Sequence, residues 1–375
     1  MADYTKYNSV AAADIVKIDG VAVANLVKCD GTTKPSSGAT QWVAAQDDRR
    51  IAFAANSDLT SWTSQDAFSG GSSPQPGSSN DHIHIAYGKD GSGNGRWVTS
   101  LATNACELAF SNDATAQPWT GVNEDSSGNN LPNRVFVLQW GDDVWIAAGA
   151  MGTQVLYRST DGAAWAQIDI SGATSINGTS IYALAQNGSG TWWFAQENRI
   201  YQSTNDGADW SLLHTLVDSS NADPGNIRAL HFTNNTLVAG VDTNPGLVFA
   251  AASSDLTDWS SETELTNGSA AFDQQTQSAA AGGRVVAVGN AATKWTMDVD
   301  GKSITMDEND VDLSGDDTAH GTAKSISTDG TTWVVTCLTG DVFTSTNGGD
   351  SWSAAATNVG SKDMMDNAPD VYLPL

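Results

Sequence analysis

Basic side chains are scarce in this sequence: 17 lysines and arginines stand against 43 aspartates and glutamates, for a net charge of −26 over 375 residues. So acidic a chain is repelled by nucleic acid and by anionic membrane, so neither is expected as a partner. Charge of either sign is sparse, at 16% against roughly 25% in ordinary soluble domains. Cysteine is almost missing. Cys29, Cys106 and Cys337 are odd in number and far apart, which excludes a disulfide framework and a CxxC metal site and implies three free, mostly buried thiols. No apolar run approaches the roughly 18 residues of a membrane-spanning helix. The opening "MADYTKYNSV" lacks the basic and apolar regions of a signal peptide, so synthesis in a cytoplasm without export by the common route is expected. Sustained 3.6-residue periodicity is lacking, which argues against long helices. P-loop, GxSxG and dinucleotide fingerprints are missing too.

What the chain has is glycine, 36 residues of it, and a repeat. A turn followed by a tryptophan recurs at Trp62, Trp119, Trp165, Trp210, Trp259 and Trp352, in steps of 57, 46, 45, 49 and 93. The last step is about twice the others, so a decayed copy is expected near "SITMDENDVDL", Ser303 to Leu313. A second phase consists of short apolar runs centred on Trp42, Trp97, Trp145, Trp192, Leu237, Val285 and Trp333, in steps of 55, 48, 47, 45, 48 and 48. Two independent phases of one period are much harder to obtain by chance than one.

Within a repeat the pattern is four short strands, read in one copy as "SIYALAQ", "TWWFAQ", "RIYQST" and "WSLLHTL". Gly and Asn/Asp between them supply the positive φ angles of tight hairpins. Seven such units describe an all-β, seven-bladed β-propeller with four-stranded antiparallel blades. The turn motif resembles the Asp-box, S-x-D-x-G-x-x-W, of sialidase-type propellers and sortilin-like receptors. Ser203, Asn205, Gly207 and Trp210 fit its spacing with Asn for Asp, as do Ser345, Asn347, Gly349 and Trp352; Ser159, Asp161, Gly162 and Trp165 are one residue short. The side-chain oxygen at Asp161 or Asn205 is expected to hold the turn, and the tryptophan to lie buried under the hairpin and against the next blade. The resemblance implies boxes on the periphery, away from any active centre.

The first repeat lacks an inner strand, and the chain ends in "APDVYLPL". Asp370 to Leu375 are therefore expected to complete the first blade, giving a propeller over residues 38–375 and a separate arm over 1–37. In the arm, Ile15 to Gly31 read as strand, Asp-Gly turn, strand. This segment resembles N-terminal arms of bacteriophage virion proteins, which implies attachment to other virion proteins.

Candidate chemistry is thin. The resemblance to sialidases would require an arginine cluster and a Tyr/Glu pair. The eight arginines, Arg49, Arg50, Arg96, Arg134, Arg158, Arg199, Arg228 and Arg284, instead read as solvated residues at strand starts, and no carboxylate pair stands out for glycoside hydrolysis. His82 and His84, two apart in a strand, share one face and are candidate metal ligands if a third joined them; two polar residues lining the channel is the blander alternative. "DENDVDLSGDD", Asp307 to Asp317, is a candidate Ca²⁺ loop without regular EF-hand spacing, and a solvated acidic loop otherwise. No cofactor is expected. The function these features suggest is a non-enzymatic structural or adhesive component of a phage particle (tail, fibre or capsid-surface protein), made in the host cytoplasm and located in the virion as a homo-oligomer. Its propeller face would bind a host-surface protein or glycan, with loops Phe68 to Asp81 and Asn123 to Asn133 as candidate contacts. The alternatives are a sialidase-like glycan hydrolase and a cellular Asp-box propeller acting as an assembly factor.

Overall fold

The computed structural model describes residues 40–71, 82–101, 107–131, 135–149, 156–170, 173, 180–243, 246–265, 277–289, 293–312, 322–361 and 364–369, with four two-residue strands between 17 and 33. The chain falls into two compact units, Met1–Ser37 and Gly38–Leu373. In the first, Lys17–Ile18 pairs with Val21–Ala22 and Lys28–Cys29 with Thr32–Thr33, both antiparallel. The one hairpin expected over Ile15 to Gly31 is thus two, each pair flanking an Asp-Gly dipeptide of the sequence.

The second unit is a ring of seven four-stranded antiparallel sheets. Blades two to seven start from the inner strands His82–Lys89, Val135–Gly141, Ala183–Gln186, Asn226–Thr233, Gln277–Ala281 and Ala323–Thr328. All seven of the runs that define the second sequence phase are the second strands of their blades, from Gln41–Gln46 to Trp333–Cys337. Blade one takes its inner strand from the far end of the chain: Met364–Pro369 pairs with Gln41–Gln46, which pairs with Arg50–Ala55 and then Thr63–Asp66. The ring is closed from the C-terminal side by Met364–Pro369 rather than by the expected Asp370 to Leu375, which lie outside the described residues. The reason is the length of the connection. Blade seven's outer strand ends at Ala356, and a short turn over Val359–Ser361, with Gly360 at φ 66°, brings the chain straight to the inner position. Buried Gln46 fastens that turn, its Nε2 donating to the Val359 carbonyl at 3.0 Å.

Apolar side chains gather into seven clusters among the described residues, one at each blade interface. Trp42, Ala44 and Ala52 of blade one meet Val334 and Val342 of blade seven, so the closing interface has a core like the others. Second strands are buried on both faces because a neighbouring blade covers each side. This explains their near-continuous apolar runs.

The turn motif docks blades, and its direction differs from expectation. In blade four the Ser203 Oγ accepts from the Gly207 N–H at 3.0 Å and donates to Asn205 Oδ1 at 2.8 Å; Asn205 Oδ1 also accepts from the Asp209 N–H. The Trp210 Nε1 donates to the Gly207 carbonyl at 2.9 Å. Ser345, Asn347, Gly349 and Trp352 repeat these bonds in blade seven. Gly207, at φ 74°, is required twice over: a Cβ there would lie 2.6 Å from Ile146 Cδ1 of blade three. Trp210 shares a cluster with Ile146 and Leu156 of that same blade. The box therefore packs on the preceding blade, not the next one. Trp119, Trp165 and Trp210 are buried, whereas Trp62, Trp259 and Trp352 are half-buried, so Trp352 is more open than expected.

Blades one, two and five use a different turn. Asp58, Asp113 and Asp255 each accept from the N–H and hydroxyl of a threonine two residues on. Where the box has glycine, Leu59 and Leu256 fill the space with a side chain, and Trp62 and Trp259 donate to their carbonyls. Blade six has no box at all: a two-residue turn, Gly301-Lys302, joins strands Thr293–Asp300 and Ser303–Asp312. The expected decayed copy is an extended outer strand instead.

Candidate functional site

Antiparallel order sends the two kinds of connection to opposite faces of the ring. First-to-second and third-to-fourth hairpins, boxes included, emerge on one face. Second-to-third hairpins and the long blade-to-blade connections emerge on the other. The inner strands begin on this second face, and there the ladder is irregular in the same place around the ring. One residue is inserted between Val135 and Val137, between Ile227 and Ala229, between Ala323 and Ser325, between Met364 and Asp366, and between His82 and His84. In every case the residue after the insertion pairs with the third residue past the phase position, as in Val137 with Ala148 and Ala229 with Gly240. Bulges of this kind re-aim side chains at barrel rims and binding sites. Here the inserted backbone positions, Ile83, Phe136, Arg228, Lys324 and Met365, fall at one level of the ladder. Tyr182 holds the equivalent place in blade four, just before Ala183 pairs with Ala195.

Three of these residues, from consecutive blades, form a row. Phe136 stacks on Tyr182 with ring centroids 4.9 Å apart, and the Arg228 guanidinium lies 3.9 Å from the Tyr182 centroid. The guanidinium is further fixed by Asp242, whose Oδ2 accepts from Nε at 3.1 Å; the Arg228 Nη1 is buried with no hydrogen-bond partner among the described residues. Stacking and one ion pair hold the group flat, so its free edge is pre-oriented.

Below the row lies the central channel, a cavity of about 370 Å³ lined by residues of all seven inner strands. His231 Nε2 is 2.8 Å from Ser278 Oγ of the next blade, and enclosure of the ring pushes its pKa down to about 4. At the blade two–three interface a different group stands out. Glu107 is 1% exposed, its Oε2 has no hydrogen-bond partner among the described residues, and burial pushes its pKa up to about 7.

His82 and His84 do not keep the spacing expected of a strand pair. The bulge at Ile83 puts them on successive rungs, opposite Leu101 and Ser100. His84 Nδ1 lies 3.3 Å from Asp366 Oδ2, so its neighbour is the carboxylate of the closing strand. The seven described arginines are half-buried and bonded rather than freely solvated. Arg96, Arg158 and Arg284 donate to the carbonyls of Asp161, Asp206 and Gly348, each in the box of the next blade. Arg49 pairs with Asp66, Arg199 with Glu197, and Arg50 with the Ser64 carbonyl. Arg134 lies outside the described residues. Of the candidate contact loops, Asn123 to Leu131 is pinned down, with Ser126 N–H on the Trp165 carbonyl at 2.7 Å and Leu131 buried; 72–81 and 132–133 lie outside the described residues. Asp307 to Asp312 belong to a strand rather than a loop. Cys337 is buried, and the described residues contain no group of three candidate metal ligands. Sequence reasoning missed the stacked row. Its signal was a residue nine or ten positions before the phase residue: Phe136, Tyr182, Arg228 and Lys324.

No protein-family model matches the chain, and no curated protein matches it in sequence. Solved propellers do match in fold. An ancestral GH74 enzyme is 14% identical over 86% of this chain and 47% of its own, with a TM-score of 0.55. YCF48 bound to a D1 peptide is 14% identical over 73% of this chain and 80% of its own, at 0.50. The WD40 propeller domain of Doa1 is 12% identical over 82% of this chain and 87% of its own, also at 0.50. At such identities the likeness is one of fold, and folds host many functions. The described chain is a seven-bladed, four-stranded propeller similar in fold to YCF48, a GH74 enzyme and the WD40 domain of Doa1.

Proposed function

We propose that this propeller is a binding and assembly module rather than an enzyme, and that it engages its partner through the bulged mouth of the channel. The observation that carries this reading is the alignment of five inner-strand bulges at one level, on the face that also bears the long connections. A ring that needed only to be stable has no use for the same irregularity five times over. The arginines support a non-catalytic role, because most of them fasten hairpins or boxes. That a propeller of the same fold is recorded with a bound peptide is consistent with it.

The finer reading is a structural or adhesive virion protein, held in a particle by residues 1–37 and presenting the mouth to a host-surface protein or glycan. Two experiments test these levels. A screen against fluorogenic glycosides should give no turnover; clear hydrolysis would establish the sialidase-type alternative. Mass spectrometry of purified particles should find the chain among tail or capsid components. Finding it only in a cellular complex would favour the assembly-factor alternative.

A further inference from the structure

We propose that the channel mouth is a monocarboxylate site, in which the free edge of the Arg228 guanidinium receives the ligand's carboxylate and the channel houses the carbon body behind it. This rests on the binding role above and names the chemistry bound.

Charge gives the first argument. The chain carries 43 acidic residues, yet none of the residues lining the cavity is Asp or Glu. Arg228 is the one lining residue that is always charged, and His231 is neutral at ordinary pH. With Asp242 pairing Arg228 and no carboxylate among the described lining residues, the wall is close to neutral, so an anion meets less repulsion there than elsewhere on a protein of net charge −26.

Geometry gives the second. Asp242 occupies Nε and Tyr182 covers one flat face; Nη1 is buried and has no partner among the described residues, and Arg228 is one of the residues that line the channel. A buried, unpaired guanidinium N–H is costly, and an incoming acceptor offsets that cost. A planar carboxylate matches the Nη edge of a guanidinium with two parallel hydrogen bonds.

The class of anion follows from what is missing. Asp242 already offsets most of the positive charge, which disfavours a phosphate dianion relative to a singly charged carboxylate. A cavity of about 370 Å³ lies at the small end of ligand pockets. It suits a small free acid or the C-terminal residue of a peptide.

The test uses the full chain. Benzoate, acetylated dileucine with a free C-terminus, its C-terminal amide and inorganic phosphate are titrated calorimetrically. Benzoate or the free-acid peptide should bind saturably, with the amide and phosphate at least about tenfold weaker. Binding of benzoate alone identifies a free acid as the source, and binding of the peptide acid but not its amide identifies a chain terminus. Arg228→Gln should weaken binding about tenfold or more, while Lys324→Gln, the same loss of charge on the same rim, should change it less than about twofold. If Arg228→Gln fails to fold, Arg228→Lys, which keeps the charge and loses the planar fork, should still weaken binding severalfold. No saturable carboxylate binding, phosphate as tight as benzoate, or equal effects of Arg228→Gln and Lys324→Gln would overturn the proposal. Protection of the mouth by the native partner despite such a result would leave the broader binding role standing.

Discussion

The carboxylate of Asp366 accepts from the backbone N–H of Ile85 at 2.8 Å, 281 residues away in sequence. Its other oxygen accepts from Ser325 Oγ at 2.5 Å, and His84 lies alongside. One side chain on the closing strand thus ties blade one to blades two and seven, directly beside a bulge. The amide of Ile85 is not available to its own ladder at this irregularity, so Asp366 satisfies a donor that would otherwise be stranded.

The closing strand is therefore more than a fourth ladder. Asp366→Ala should cost about 2–4 kcal/mol, more than a typical surface change, because a buried N–H and a hydroxyl lose their acceptor together. Ending the chain at residue 363 should expose the edge of Gln41–Gln46 and bring aggregation or a large drop in Tm. Removing residues 1–37 should leave ring melting nearly unchanged. Thermal denaturation of the three proteins, followed by light scattering, checks this.

Box glycines should tolerate no side chain. Gly207→Ala places a Cβ 2.6 Å from Ile146, and Gly349→Ala places one 2.8 Å from Val286, both at positive φ. Each should cost about 2–4 kcal/mol. Gly93→Ala is the control, since it has positive φ but nothing within 4 Å, and should cost about 1 kcal/mol. Equal losses at all three sites in urea titrations would mean that the boxes hold turns and do not dock blades.

Trp210→Ala should cost about 3–5 kcal/mol. Trp352→Ala should cost less, because that ring is half-buried. Lys294 offers a companion test. It is 2% exposed, and its Nζ donates to the carbonyls of Gly349 and Asp350 in the next blade's box. Lys294→Met keeps the stem and strands both acceptors, so a loss of about 2–3 kcal/mol is expected.

Two buried groups set opposing pH dependences. Glu107 titrates near 7 in the fold against an ordinary 4.5, so the folded chain holds a proton that the unfolded chain releases; its contribution is full below 4.5 and is lost as pH rises through about 7. His231 titrates near 4 against 6.5, so the unfolded chain takes the proton first, and stability is lost as pH falls from 6.5 towards 4. Glu107→Gln should leave stability rising with pH between 4.5 and 6.5, and His231→Gln should leave it falling. Urea midpoints at a series of pH values read both slopes, and unchanged slopes in either variant would show that its group does not titrate there.

The blade repeat was legible because each second strand is buried on both sides, so Trp42, Trp97, Trp145 and Trp192 recur at a fixed point in every unit. The turns were legible because Ser203, Asn205 and Gly207 bond within a few residues of one another. What depends on register or on a neighbouring blade was not. A bulge at Phe136 or Arg228 exists only relative to the strand beside it, and no local composition marks it. Arg96 and Lys294 look like ordinary strand residues until the next blade brings a carbonyl to them. The closing strand was misplaced because Val371, Tyr372 and Leu373 have higher strand preference than "MMDNAP", whereas the length of the connection decides which residues reach the inner position.

The measurement that tests the binding role most directly is hydroxyl-radical footprinting of the chain, free and in its native assembly. Phe136 and Tyr182 should be protected on assembly, while Trp62, Trp259 and Trp352 on the opposite, box-bearing face keep their free-state reactivity. Protection of those tryptophans, with Phe136 and Tyr182 unchanged, would contradict the account and place the working surface on the boxes.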